Sequence, residues 1–164
     1  MKLASDRVEK KLYGPEFREW WGAGPWQDEP DEIRWTDPAT GYRCVIGRSP
    51  ELGSLLGYVG VPSSHPAYGT TGDELYAHGG LNWHAGRLPW ETPEQSERFW
   101  WFGFDCAHVG RDLVPSIEFM HQPGGILEAF ANAAGHFGER YRDVTFVEIE
   151  IASLINQLAC PFHL

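Results

Sequence analysis

The chain has 164 residues, 42% of them hydrophobic and 14% aromatic, which is enough apolar surface for one domain with a core of its own. Twenty-three acidic residues against thirteen Lys plus Arg leave a formal charge of −10, a balance that speaks against nucleic acid as a partner because phosphate contacts need basic groups. No stretch of about eighteen apolar residues occurs, so no membrane-spanning helix is expected.

The first seven residues, Met1 to Arg7, run into charged side chains and lack the apolar core of a signal peptide. Cys44, Cys106 and Cys160 form no C-x-x-C pair and are odd in number, which fits free thiols in a reducing compartment. A cytoplasmic location is the expectation from both.

Residues 1–40 hold Trp20, Trp21, Trp26 and Trp35 among Gly, Pro and acidic residues. This composition predicts an irregular arm pinned by aromatic anchors, with a short helix over Lys10 to Trp21. Asp37-Pro38-Ala39-Thr40-Gly41 is turn chemistry, and Tyr42 to Gly47 alternates like a strand. A second turn at Ser49 to Gly53 leads into a returning strand, Leu55 to Val61, which Pro62 ends. Residues 63–76 are a loop rich in Ser, Pro, Gly and Thr, and Ala77 to Trp83 reads as a third strand. Phe99-Trp100-Trp101-Phe102-Gly103-Phe104 is apolar throughout, the pattern of a strand buried on both faces in mid-sheet.

Residues 109–142 form a loop and helical region. Beyond it, Val144, Val147, Ile151, Leu154 and Leu158 recur at spacings of three and four and predict a helix over 143–159 with one apolar stripe. Asp143 is a candidate N-cap, Thr145 and Glu148 a candidate capping box, and Pro161 a stop. Strands first and a packing helix last, without βαβ alternation, give an α+β fold: a central, mostly antiparallel sheet with the long C-terminal helix across one face. The division is an arm at 1–40, a sheet region at 41–108, the region 109–142, and the helix 143–159, all within one domain.

Four blocks stand out: Gly57-Tyr58-Val59-Gly60-Val61-Pro62 with His65-Pro66; His78-Gly79-Gly80-Leu81; Trp100-Trp101-Phe102-Gly103-Phe104-Asp105-Cys106-Ala107-His108; and Tyr141-Arg142-Asp143-Val144. In these the chain, over roughly residues 42 to 159, resembles a family of small uncharacterised proteins of bacteriophages, prophages and bacteria. The resemblance marks where to look and implies neither an activity nor a fold.

The chemistry concentrates where the aromatic strand emerges. Asp105 and His108, joined by His78 from a neighbouring strand, would offer a divalent metal such as zinc three ligands and leave a position open for water, with His65 and Asp112 in reserve. A strand sends successive side chains to opposite faces, so only one of Asp105 and Cys106 can share a pocket with His78, and Asp105 is the expected one. That arrangement would suit a metal-assisted hydrolase.

A non-enzymatic binding or inhibitory module, engaging a small molecule or a host protein through its Trp-rich arm and loops, is the alternative. A third reading makes Cys106 the nucleophile of a Cys-His hydrolase or acyltransferase, with His78 or His108 as base and Asp105 or Asp73 as orienter. The bland readings are a buried structural Cys106, a His78 bonded to backbone, an Asp105 that caps a loop and a His65 that stiffens one. No glycine pattern matches a phosphate-binding loop. The sequence does not fix the oligomeric state.

Overall fold

The structure, a computed structural model, describes residues 5–95, 98–120 and 139–160. Its strands are β1 (Val8–Lys10), β2 (Glu32–Thr36), β3 (Arg43–Arg48), β4 (Leu55–Pro62), β5 (Trp83–Ala85) and β6 (Phe99–Asp105). The α-helices are α1 (Pro15–Trp21), α2 (Pro115–Met120) and α3 (Val144–Ala159). The strands form one sheet in the order β1-β2-β3-β4-β6-β5, and each neighbouring pair is antiparallel. With α3 lying across β4 and β3, the fold is α+β as its element order predicts. Among the described residues no helix is long and apolar enough to cross a membrane.

Alternation along the central strands divides the interior into two parts. Cys44 and Ile46 of β3, Val59 and Val61 of β4, and Phe102 and Phe104 of β6 face α3 and meet its buried Val147, Ile151, Leu154, Ile155 and Leu158. Val45, Tyr58 and Trp101 turn the other way and pack with Leu88. The aromatic strand β6 is thus paired on both edges, by β4 and by the short β5, and Phe102 and Phe104 are wholly buried. Each such side chain contributes about 1.5–3 kcal/mol through its removal from water. Asp143 caps α3 by accepting the Phe146 amide at 2.8 Å; Pro161, the expected stop, lies outside the described residues.

Two expectations need correction. The arm is not irregular: β1 and β2 add two strands to the sheet, and α1 starts only at Pro15, where a proline suits the first helical position. Its tryptophans do act as anchors, since Trp21 is fully buried and donates to the Pro50 carbonyl, while Trp20 donates to that of Glu51. The strand expected over Ala77 to Trp83 is a turn, and pairing begins only at Trp83. Gly79 and Gly80 both take positive φ, +69° and +91°, and the Gly80 amide closes back on the Ala77 carbonyl at 2.8 Å, a path no strand follows.

The α3 stripe supplies the lid of the larger core, so truncating it leaves a void that the sheet cannot close. Leu154→Ala is expected to cost about 2–5 kcal/mol, read from the shift of a guanidinium unfolding transition at unchanged slope.

Candidate functional site

The centre of the site is Asp112, whose side chain is fully buried. A turn after β6 brings it there: the Arg111 and Asp112 amides both donate to the His108 carbonyl, at 3.1 and 2.9 Å, and Gly110 takes a φ of +83° within it. The carboxylate then accepts from the His108 amide at 2.9 Å and faces His108 Nδ1 at 2.9 Å. His78, reached through the Gly79-Gly80 turn, brings Nε2 to 2.8 and 2.9 Å from the two oxygens. From just before α3, Arg142 donates Nε to Oδ1 at 2.9 Å. Burial works to raise the Asp112 pKa, but the bonds from the His108 amide, Arg142, His78 and the His108 ring outweigh it and hold the group down at about 2.

The two imidazoles meet edge to face with centroids 5.1 Å apart. Each is seated by a second contact. His78 stands edge-on to Phe146, and its amide donates to Glu150 Oε2 at 3.0 Å. The His108 ring lies against the backbone of Gly79, where a Cβ would come within 2.1 Å of it, so the glycine there serves close approach as well as its positive φ. His108 Nε2 reaches Asp105 Oδ1 at 3.1 Å, and Asp105 Oδ2 accepts from Asn82 Nδ2 at 2.8 Å.

His78, His108 and Asp112 each offer one ligand atom, and these atoms lie within 4.8 Å of one another. Zinc ligands at about 2.0–2.1 Å from a common ion sit about 3.3 Å apart, so a modest closure of the three would form a coordination site. The side chains of His78 and His108 keep 12% and 28% of their exposure, which leaves an approach from solvent.

The expected trio of His78, Asp105 and His108 is therefore brought together with one exchange of roles. Asp112, the reserve ligand, takes the inner place. Asp105 stands behind His108, on its far nitrogen, because β6 alternation turns it to the sheet face opposite α3. His65 is no ligand in this arrangement: its Nε2 meets the Leu158 carbonyl at 2.8 Å and its Nδ1 accepts the Ala67 amide at 3.0 Å, which stiffens the loop after β4.

Cys106 points to the α3 side and is 1% exposed within the core. Burial, reinforced by the charges of Asp112 and Asp105, pushes its thiol pKa up, and among the described residues no imidazole bonds the sulfur. The expectation of a Cys106 nucleophile is thus corrected, since a buried thiol without a base carries no thiolate. Asp73, its alternative orienter, is exposed. Sequence reasoning passed over Arg142 and Asn82. Arg142 stands in one of the marked blocks, but its partner lies thirty positions upstream. His121, His136 and His163 fall outside the described residues.

Cys160 is exposed, whereas Cys44 and Cys106 are buried, and burial pushes Cys44 up to about 12. A chromogenic disulfide reagent at neutral pH is expected to label one thiol in the folded protein and the other two only on unfolding; fast labelling of Cys106 in the native state would restore the nucleophile reading. Compared with protein-family models, curated proteins and solved structures, the chain matches none.

Proposed function

We propose that this chain is a metal-assisted hydrolase, with a divalent cation such as zinc held by His78 Nε2, His108 Nδ1 and a carboxylate oxygen of Asp112. The observation that carries the reading is the convergence, within 4.8 Å, of three ligand atoms from two turns, one carrying His78 and the other both His108 and Asp112. A second feature supports it. Asp105 sits on the far nitrogen of His108, the position from which an outer carboxylate fixes the tautomer and orientation of a ligating imidazole. In that arrangement His108 donates Nε2–H to Asp105 and presents a bare Nδ1 to the metal. Arg142 keeps the second oxygen of Asp112 satisfied. Three protein ligands leave a position for water, which the cation would acidify and direct at a polarised carbonyl or phosphoryl group.

A non-enzymatic binding module is the competing reading, and one observation favours it: Asp112 already accepts from His78, His108 and Arg142, so the cluster is also a complete structural clasp. The two readings differ in what zinc does. Under the proposal, metal-stripped protein takes up one equivalent of zinc by calorimetry, and a hundredfold excess of free zinc over Kd stabilises the fold by about 2.7 kcal/mol. Asp105→Asn is expected to weaken zinc about 10- to 100-fold without abolishing it, and His78→Ala to remove it. If zinc neither binds nor shifts the unfolding temperature while Asp112→Asn still destabilises the protein, the cluster is a clasp and the binding module stands.

A further inference from the structure

On the sheet face opposite α3 lies a cleft of about 410 Å³, within the range of about 300–1,000 Å³ usual for small-molecule sites. It ends behind the candidate metal site: Asp105, which touches His108 on the nitrogen turned away from Asp112, and Asn82, which holds Asp105, both line it, whereas His78, His108 and Asp112 are not among its lining residues. Its walls are aromatic. Tyr58 lies over Gly103 of β6, and Trp83 stands beside the same glycine. Trp90 packs edge to face on Tyr58 at 5.4 Å and rests on the backbone of Gly47, where a Cβ would come within 2.9 Å of its ring; it remains 42% exposed.

The charges decide what such a cleft can take. The charged side chains that line it are Arg48, Glu51 and Asp105. Arg48 is fully buried and spent on Asp31, the Gly53 and Pro30 carbonyls and the Tyr141 hydroxyl. That leaves two carboxylates facing the opening, so a phosphate or carboxylate ligand would meet repulsion with no free cation among the described lining residues to receive it.

A small organic cation could meet the two carboxylates and the indole face, and it is the competing occupant. The paired hydrogen-bonding groups of Asp105 and Asn82 favour instead an uncharged molecule with an apolar face for the indole and a hydroxyl edge for the carboxylate and amide. Ser54 also borders the cleft, and its buried hydroxyl has no protein partner among the described residues.

We infer that the cleft binds a neutral saccharide, one ring stacked on Trp90 and its hydroxyls on Asp105 and Asn82. Through Asp105 the sugar would touch the back of the His78–His108–Asp112 cluster, and that link alone rests on the metal-assisted reading.

The test is a fluorescence titration of the full chain, stripped of metal with a chelator, with cellotetraose, maltotetraose and the tetramer of N-acetylglucosamine; tetramethylammonium and inorganic phosphate serve as charged controls. At least one tetrasaccharide is expected to quench or shift the tryptophan emission saturably. Trp90→Ala, a change at an exposed side chain, is expected to weaken it at least about tenfold. Gly47→Ala should weaken it too by pushing the indole aside. Circular dichroism of both variants separates lost binding from lost fold.

Saccharide binding with no zinc uptake would leave the cleft assignment standing and remove only its link to hydrolysis. The inference is overturned if no saccharide saturates the signal, if Trp90→Ala binds as well as the parent, or if tetramethylammonium or phosphate binds more tightly than every sugar.

Discussion

A carboxylate withdrawn from water must be met by donors from the protein itself, and two such groups organise what the sheet does not. Asp31 accepts the Leu12 and Tyr13 amides, Arg18 and the wholly buried Arg48, and so fastens the segment leading into α1, and α1 itself, to the end of β3. Asp112 gathers His78, His108 and Arg142 from three separate segments. Removing one partner from a buried charge pair typically costs about 3–5 kcal/mol, since the other charge is left without compensation. Both aspartates therefore act as fixed points to which irregular chain must return, and the positions of the candidate ligands follow from the second of them.

The aromatic strand sets the other constraint. Because β6 alternates, Phe102, Phe104 and the neighbouring Cys106 belong to the core under α3, while Trp101, Gly103 and Asp105 belong to the opposite face. One strand end thus supplies a buried thiol to one side and a half-exposed carboxylate to the other. Gly103, without a side chain, makes room for Tyr58 and Trp83, which both line the cleft. Asp105 then belongs to both places: it lines the cleft and touches His108 of the cluster. A ligand held on the aromatic wall would accordingly lie against Asp105, behind His108 of the cluster.

The period of the apolar pattern made the sheet hairpin, β6 and α3 legible, since burial on one or both faces leaves a direct record in residue type. Ile155 was missed in the α3 stripe only because the spacing of three and four admits either neighbour. Local backbone rules were legible too but were outweighed: Gly79-Gly80 signals a turn, yet the flanking Ala77, Leu81 and Trp83 suggested a strand. The site was half visible. His78, Asp105 and His108 were found by residue type, whereas the inner place of Asp112 depends on how tightly the 108–112 turn closes, and that is set by Gly110 and by the donors that bury the carboxylate. Arg142 could not be linked to the site from spacing, because only the fold brings it back to Asp112.

The same bonds that make the cluster stable also state what a metal must replace. Both ring nitrogens of His108 face carboxylate oxygens, that of Asp105 on one side and that of Asp112 on the other. His78 likewise directs its Nε2 at Asp112. A cation held by His78, His108 and Asp112 would take the place of the contacts between the two rings and Asp112, while Asp105 would still face the far nitrogen of His108 and Arg142 would still donate to Oδ1. The two outer contacts, from Asp105 and from Arg142, would then orient the residues that hold it. Arg142 works against the incoming positive charge but also prevents the second oxygen of Asp112 from being orphaned in the interior, where an unmet carboxylate oxygen is costly. With Arg142 on Oδ1, the other oxygen of Asp112 and the two imidazoles are the groups that would hold a cation, and the partly exposed His108 side chain would give it access to solvent.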